Sequence, residues 1–253
     1  MHIQVISSVN EARGDDLQHK TVIVIDVLRA TSTILKAIDS GCMQLIPVET
    51  VNQAKNMQRP GELLGGERFC KKIPGFDFGN SPLEYTSDRV EGKSIILTTT
   101  NGTRAIQKSS KAAHVLIGSL LNARTCARKA AALSEDVVIL CAGTQDMFAL
   151  EDGLCAGLIV EELLKLEADG WPRRSSAAGT DAVTIDDFGL SMLLAYRHAR
   201  DNLEEALLSS SNGKRLKKIG FHEDIVYCAQ VNVLEYAPIV RNGRLEAEMP
   251  LHR

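Results

Sequence analysis

The chain has 253 residues, of which 29 are basic and 32 acidic, and its formal net charge is −3. Because the charges are well mixed, with no basic stripe or arginine-rich tail, the sequence argues against nucleic-acid binding. No apolar run approaches the roughly 18 residues of a membrane helix, and the first residues lack the pattern of a signal peptide. We therefore expect a cytoplasmic protein with no membrane contact.

Strand-like and helix-like segments alternate through the first two thirds of the chain. Runs of β-branched and apolar residues predict strands, and the segments between them have the spacing and capping residues of helices. This alternation predicts an α/β fold of three layers (αβα) with a mostly parallel sheet. The predicted strands are residues 2–6, 21–25, 44–48, 62–65, 94–97, 115–117 and 137–140, and the predicted helices are residues 30–40, 50–59, 102–108, 122–133 and 150–166.

The last third of the chain is predicted to be more helical and to end in a short hairpin. A polar break is expected at residues 209–213, and residues 168–180, rich in Gly, Pro and Ser, are the best linker candidate. We expect residues 1–253 to form a single unit, with any boundary between two α/β lobes near residues 168–180. Helices are predicted over residues 187–199, 202–208, 215–219 and 223–229, strands over 231–234 and 239–240, and a hairpin turn at 241–244.

The turn after the second predicted strand is the most informative segment. Residues 22–25 have the pattern of a strand buried on both faces, and Asp26 stands at its carboxyl end, followed by Arg29 and a helix start. Open α/β sheets bind ligands at this edge, and a helix start favours anions. A carboxylate there would repel an anion unless a cation lay between them, so the segment predicts Mg²⁺ and a phosphate. The hydroxyls at this helix start belong to Thr31, Ser32 and Thr33.

Two further strand-to-helix turns have the same small, polar character. The first is followed by Arg104, and the helix after the second begins with Glu151 and Asp152. Capping explains Ser, Thr or Asn at such turns, but it does not call for arginine, which the helix dipole disfavours there. Since parallel strands end at one edge of a sheet, we expect all three turns on the same edge. The turn residues are Asn101, Gly102 and Thr103 in the first, and Gly143 and Thr144 in the second.

A glycine pair precedes Glu67 and Arg68 in the segment between these turns. Glycines let the backbone approach another group closely, and the pair after them places an acid beside a bidentate cation. The alternative for Glu67 is a solvated ion pair. Asp77 and Asn80 follow in a second glycine-containing segment, and the alternative to a binding role for them is a place in a structural loop.

Several known phosphate chemistries need motifs that this sequence lacks. There is no G-x-x-x-x-G-K-[ST] loop. Leu28 stands where a haloacid-dehalogenase-type phosphatase needs a second Asp, and Met147 stands where a cysteine phosphatase using Cys141 needs Arg. The histidines form no metal-binding pair, and the six cysteines form no C-x-x-C, so they are expected to be inert thiols. The phosphate chemistry that is left uses Mg²⁺ bound by carboxylates, together with arginine side chains and backbone N–H donors.

The order of these segments resembles the 2-phosphosulfolactate phosphatases over nearly the full length. The resemblance implies a Mg²⁺-dependent acid phosphatase with an α/β fold; the named member of the family converts 2-phospho-3-sulfolactate to 3-sulfolactate and phosphate on the route to coenzyme M. Asn212 is a departure, because a Ser-x-His-Gly-like turn is expected there. The matching segments are V-I-D-V-L-R-A-T-S-T (24–33), G-G-E-R (65–68), G-F-D-F-G-N-S-P (75–82), T-T-T-N-G-T-R (98–104), C-A-G-T (141–144) and E-D-G (151–153), with a looser match at Gly220, Phe221, Asp224 and Ile225.

These residues suggest a division of roles in phosphate-ester hydrolysis. We expect Asp26 and Glu67 to bind Mg²⁺ with Glu151 or Asp152, and Asp26 as a phosphoaspartyl nucleophile is the alternative. The expected catalytic residues are Asp26, Arg29, Glu67, Arg68 and Arg104, with Arg29 and Arg104 holding phosphate and Arg68 the carboxylate or sulfonate of the substrate. The expected substrate-binding residues are Thr31, Ser32, Thr33, Asn101, Gly102, Thr103, Gly143 and Thr144.

Two other functions stay open at this point. The first is a phosphatase for a different small anionic phosphoester, and the second is a non-catalytic module that binds an anion or a nucleotide. The carboxylates argue against the second, because anion binding alone does not need them. The expected partner is a small anionic phosphoester, and we expect a homodimer.

Overall fold

The computed structural model describes residues 1–133, 135–170 and 183–246. The helices of this part are α1 Ala30–Asp39, α2 Val51–Met57, α3 Ser87–Val90, α4 Gly102–Lys108, α5 Ala123–Leu133, α6 Leu150–Ala168, α7 Asp187–Ala199, α8 Leu203–Ser209, α9 Ser211–Lys218 and α10 His222–Cys228. The strands are β1 His2–Ile6, β2 Thr21–Ile25, β3 Gln44–Pro47, β4 Leu63–Arg68, β5 Lys71–Lys72, β6 Ser94–Thr98, β7 His114–Gly118, β8 Val137–Cys141, β9 Thr184–Ile185, β10 Val240–Arg241 and β11 Arg244–Glu246.

The strands of the described residues form two sheets. The first has the order β7-β2-β8-β1-β9, and all of its paired strands are parallel. The second has the order β10-β11-β3-β6-β4-β5, in which β3, β6 and β4 are parallel and the outer pairings are antiparallel. An α/β fold is thereby confirmed, but with two sheets in place of one.

The central strands of the first sheet are buried on both faces, as parallel strands covered by helices must be. Ile23 and Ile139 point towards a core formed with α5 and α6. Val22 and Val138 point the other way, into a core that they share with Leu45 of the second sheet, and α1 packs there. The two sheets are therefore joined through one continuous apolar layer. A smaller cluster covers the other face of the second sheet.

The structure corrects three sequence predictions. The turn after β6 lies on the second sheet, while the turns after β2 and β8 lie on the first, so the three turns do not share one sheet edge. No strand forms at residues 231–234. The polar break at residues 209–213 is only a corner between α8 and α9, because Ser210 caps α9 by accepting a hydrogen bond from the Gly213 N–H at 3.0 Å.

Other predictions agree with the structure or lie beyond it. The hairpin turn at residues 241–244 is confirmed by the pairing of Arg241 with Arg244. Residues 171–180 of the predicted linker lie outside the described part of the chain, so a lobe boundary there stays a prediction. In the described residues, no helix has the length and apolar character needed to cross a membrane.

Candidate active site

The turns of the two sheets meet at Gly102, the first residue of α4. A Cβ atom built on Gly102 would lie 2.5 Å from the Ala30 Cβ and 2.7 Å from the Asp26 Oδ2. Real side chains do not approach so closely, so only glycine fits between the two turns. The carboxyl ends of β2 and β6 are therefore brought together in space, although they belong to different sheets.

Asp26 lies buried at the end of β2, and its Oδ1 accepts a hydrogen bond from the Ala30 N–H at 3.2 Å. Burial above all, together with the nearby carboxylates of Glu67 and Glu151, raises the pKa of Asp26 from its ordinary value of 3.8 to about 7, against the lowering effect of the Ala30 and Gly102 N–H groups. A buried carboxylate repelled by its neighbours is a good ligand for a cation.

Asp152, at the start of α6, joins the two turns of the first sheet. Its Oδ1 accepts a hydrogen bond from the Val27 N–H at 2.9 Å, and its Oδ2 accepts one from the Gly143 N–H at 3.0 Å. Burial raises the pKa of Asp152 well above its ordinary value, with further contributions from Asp26 and Glu151. Both of its oxygens already have protein donors, which favours a role in holding the turns in place.

Glu151, beside it on α6, is in the opposite situation. It is 1% exposed, and its Oε2 has no hydrogen-bond partner among the described residues. Burial raises the pKa of Glu151, and the side chains of Ser210 and Asn212 lower it in part. An unpartnered carboxylate oxygen in the interior calls for a ligand or a proton.

Glu67 is held by the tight turn that follows it. Phe69 and Cys70 adopt left-handed backbone conformations (φ 55° and 63°) in the two-residue connection between β4 and β5, which directs the Cys70 N–H to the Glu67 Oε2 at 2.6 Å. The other oxygen, Oε1, accepts hydrogen bonds from the Thr100 N–H at 2.9 Å and from its hydroxyl at 2.8 Å. Glu67 therefore faces the same region as Asp26, but each of its oxygens already has a partner.

Four of the predicted substrate-binding residues donate their hydroxyls to groups inside the protein. Thr31 donates to the Asp26 carbonyl at 2.9 Å, and Ser32 donates to the Val27 carbonyl at 2.8 Å. Thr33 donates to the Asn80 carbonyl at 2.9 Å, and Thr103 to the Thr99 carbonyl at 3.0 Å. All four are buried. These hydrogen bonds fix the two turns. The backbone N–H groups of Thr31 and Thr33, which were expected to hold phosphate, donate to the carbonyls of Asp26 at 3.0 Å and Arg29 at 2.8 Å.

Arg29 is 3% exposed and forms a buried ion pair with Asp224 at the start of α10. Asp224 also accepts a hydrogen bond from the Ser81 hydroxyl at 2.7 Å, and the Arg29 guanidinium lies 4.2 Å from the centre of the Phe221 ring. These contacts hold the guanidinium in one position beside Asp26.

The structure places Arg68 and Arg104 away from Arg29. Arg68 donates to the carbonyls of Glu67 (2.7 Å) and Glu49 (2.9 Å) and to the Thr98 hydroxyl. Arg104 pairs with Asp146 at 2.9 Å on the surface. Neither of them lines the cavity beside Asp26. The hypothesis that Arg68 holds a substrate carboxylate or sulfonate and Arg104 a phosphate does not agree with this geometry.

A cavity of about 80 Å³ opens beside Asp26 and joins both sheet edges. A wider groove of about 470 Å³ adjoins it, reaches Glu151, and shares Thr144, Gln145 and Asn212 with it. Among the predicted site residues, Asp26, Arg29, Glu67, Asn101 and Thr144 line the small cavity. Its other lining residues are Leu28, Phe69, Cys70, Asn80, Thr100, Gln145, Asn212, Arg215 and Leu216.

Sequence reasoning did not include Asn80, Asn212 or Arg215 among the predicted site residues, although all three line this cavity. The buried Asn80 Oδ1 has no hydrogen-bond partner in the described part of the chain. Asn212 donates to the Leu28 carbonyl at 2.5 Å, and Arg215 follows one turn later on α9. A signal for Asn212 was present, because it stands where a histidine is expected in the turn at residues 210–213.

The oxygen donors around the cavity decide whether a divalent cation fits there. In the described residues, no three or more His, Cys, Asp or Glu side chains are grouped so that they could hold a metal ion. Asp26 with its raised pKa and the unpartnered oxygens of Glu151 and Asn80 nevertheless fit Mg²⁺, which takes one or two carboxylates and completes its shell with water and substrate oxygens. Glu67 and Asp152 fit less well, because protein N–H groups already occupy their oxygens.

The cysteines add no second chemistry. All six are free, and only Cys70 is partly exposed. Burial raises the pKa of Cys141 and Cys155 well above the usual value, which keeps them as thiols. The expectation of inert thiols agrees with this arrangement.

Buried carboxylates and a fixed arginine at the strand ends of an α/β fold are typical of enzymes that hydrolyse phosphate monoesters. The chain belongs to the 2-phosphosulpholactate phosphatase family, whose model matches residues 6–243. A probable 2-phosphosulfolactate phosphatase of Caldanaerobacter subterraneus subsp. tengcongensis is 40% identical, over 96% of this chain and 97% of its own. Another, of Clostridium acetobutylicum, is 38% identical over 97% of this chain and 100% of its own. The predicted family is confirmed.

Proposed function

We propose that the protein hydrolyses 2-phospho-3-sulfolactate to 3-sulfolactate and inorganic phosphate, and that it requires Mg²⁺. The observation that carries this proposal is the buried Asp26 beside Arg29 in a small cavity, within a chain of this family. A non-catalytic anion module has no use for a carboxylate at that position. Membership of a phosphatase family is a second reason to favour an enzyme over a binding module.

The metal would be held by Asp26, with Glu151 and Asn80 as further oxygen donors. When bound, Mg²⁺ would polarise the phosphoryl group and orient or activate water. The carboxylates of Asp26 and Glu151 carry the negative charge that attracts the cation, and burial strengthens that attraction. Asp152 would act indirectly by keeping the turns after β2 and β8 at a fixed separation.

Arg29 supplies the fixed positive charge for the phosphoryl oxygens. Negative charge spreads over these oxygens in the transition state, so a cation that needs no rearrangement stabilises that state most effectively. The ion pair with Asp224 and the Phe221 ring hold the guanidinium in place before the substrate arrives. Asn101 and Thr144 line the same cavity and offer polar groups to the substrate.

Asp26 as a nucleophile is the second form of the mechanism. A carboxylate that attacks phosphorus would form a phosphoaspartyl enzyme, which water then hydrolyses. Rapid quenching with labelled substrate distinguishes the two forms, because label is trapped on the protein only when Asp26 attacks.

The deciding experiment measures phosphate release from 2-phospho-3-sulfolactate and a panel of small phosphoesters, with Mg²⁺ and with EDTA. Release that needs Mg²⁺ and is fastest with the sulfonate ester would support the whole proposal. Release from a different small anionic ester would retain the reaction and replace the substrate. No release from any ester would refute the proposed activity, and equal release in EDTA would refute the metal.

Three further predictions accompany this function: a cytoplasmic location, a homodimer and the absence of nucleic-acid binding. A role on a route to coenzyme M is a prediction of the same kind. Size-exclusion chromatography with light scattering would test the homodimer directly.

A further inference from the structure

Two arginines line the small cavity, and they differ in whether an acidic side chain pairs with them. Arg29 has a buried acidic partner, Asp224. Arg215 lines the same cavity, and within the described residues it has no carboxylate within ion-pair distance. Its described hydrogen bond is to the carbonyl of Phe69, at 3.2 Å from Nη2. Among the described residues, the positive charge of Arg215 is therefore left without an acidic partner.

Helix α9 holds Arg215 in a defined position. Asn212 ties the helix to the turn after β2 through the Leu28 carbonyl. A Cβ on Gly213 would lie 1.9 Å from the Leu207 carbonyl oxygen, so α9 packs closely on α8. The neighbouring basic side chains Lys214 and Lys217 are exposed, whereas Arg215 is half-buried and faces the cavity.

The two arginines lie at different depths. Arg29 is 3% exposed at the end of β2, and Arg215 lies beside Phe69, which is 71% exposed. A phosphoryl group beside Asp26 and Arg29 would occupy the buried end of the small cavity. The rest of a small substrate must then lie towards the opening, where Arg215 stands.

We propose that Arg215 binds the second anionic group of the substrate, a carboxylate or sulfonate next to the phosphoester, and so determines specificity. This proposal rests on the proposed function and takes the place of the role first considered for Arg68. A guanidinium binds either anion through two parallel hydrogen bonds. Asp26 and Glu67 line the same cavity and repel anions, so the charge of Arg215 adds to that of the metal and favours a substrate with two anionic groups.

The test compares ligands with and without the second anion in Arg215→Gln. We expect the inhibition constant of 3-sulfolactate, and the KM of the sulfonate ester, to rise about 10- to 100-fold, as for the loss of a hydrogen bond between charged groups. The inhibition constant of inorganic phosphate and the kcat should change less than about threefold, since phosphate sits at Arg29. Equal weakening of phosphate and 3-sulfolactate, or no change in either, would overturn the proposal.

Two variants separate this role from a structural one. Arg215→Lys should restore part of the affinity for 3-sulfolactate, because it keeps the charge and loses the bidentate geometry. Lys214→Gln removes a neighbouring exposed charge of the same helix and should leave both inhibition constants unchanged. Equal effects of Lys214→Gln and Arg215→Gln would show a general loss of positive potential and contradict a specific site.

Calorimetric titration measures the binding of ligands that are not hydrolysed, so it tests the role of Arg215 without catalysis. Lactate carries only the carboxylate and ethanesulfonate only the sulfonate, so the ligand whose binding weakens in Arg215→Gln identifies the group that is held. If the unmodified protein hydrolyses no ester, the proposed function fails, and the binding of these ligands still decides the role of Arg215. Unchanged binding of both would refute that role even in an active enzyme.

Discussion

The carboxyl edges of the two sheets carry similar residues but use them differently. On the first sheet, Asp26 is buried and close to other carboxylates, and nearby Glu151 keeps an oxygen with no partner in the described residues. On the second sheet, both oxygens of Glu67 accept hydrogen bonds, from Cys70 and Thr100. Residue type alone does not distinguish chemistry from framework here. The partners that each carboxylate already has make that distinction.

Asp26→Asn tests the first edge and should have the largest effect. Removing the negative charge should lower kcat by about a hundredfold or more, as for the loss of an electrostatic group in an active site, and raise the Mg²⁺ concentration needed for half-maximal rate. Asp15→Asn is a matched control, because Asp15 is exposed and its carboxylate pairs at the surface with Lys111 at 2.7 Å. Near-normal turnover in Asp26→Asn would remove Asp26 from the mechanism.

Glu67→Gln tests the second edge. An amide group would place an N–H against one of the N–H donors that now meet a carboxylate, so we expect a loss of about 1–3 kcal/mol in the free energy of unfolding. The fall in kcat should be at least about tenfold smaller than in Asp26→Asn. Denaturant unfolding and steady-state kinetics measure the two effects. If both variants lost the same activity and needed the same extra Mg²⁺, Glu67 would be a metal ligand, as first expected.

Gly102→Ala tests the contact between the edges. The added methyl group would meet the Ala30 Cβ at 2.5 Å and the Asp26 Oδ2 at 2.7 Å, so we expect a destabilisation of about 1–3 kcal/mol and a lower kcat. Gly14→Ala is the control, since its nearest contact is the Lys111 Cδ at 3.8 Å. A tolerated Gly102→Ala would mean that the edges can separate without loss of function.

The pH dependence of stability in metal-free buffer tests the charge of Asp26 by itself. The pKa of Asp26 is about 7 in the folded protein, above its ordinary value of 3.8, so the folded state binds a proton that the unfolded state has lost. The stabilisation that protonated Asp26 adds to the free energy of unfolding is therefore complete below pH 3.8 and is lost as the pH rises towards 7. The unfolding free energy of the unmodified protein, relative to that of Asp26→Asn, should fall over this interval. A flat difference would show that Asp26 titrates normally.

Much of the fold could be predicted because it depends on local pattern. The apolar run before Asp26 and the residues around Gly102 placed one strand and one helix correctly. The assignment of β6 to a second sheet could not be predicted, because alternation indicates parallel strands without saying which strands are neighbours. The turn at Phe69 and Cys70 was also missed, since two-residue connections of this kind usually contain Asn or Gly.

The sequence predicted where the site lies, but it did not predict which groups the outer arginines contact. Asp26 and Arg29 follow from the strand end itself, which explains why both line the cavity. The directions of Arg68 and Arg104 depend on carbonyls and carboxylates that come from other parts of the chain, such as Glu49 and Asp146. Such partners are fixed by tertiary packing and leave no periodic signal in the sequence.

The two hydrogen bonds of Asp152 have a consequence for local unfolding. Val27 and Gly143 belong to turns far apart in the sequence, yet their amide protons are held by the two oxygens of one side chain. A fluctuation that withdraws this carboxylate releases both amides together, so they should exchange with solvent deuterium at a common rate. The walls on either side of Asp26 thus form one cooperative unit, joined by a single acidic group.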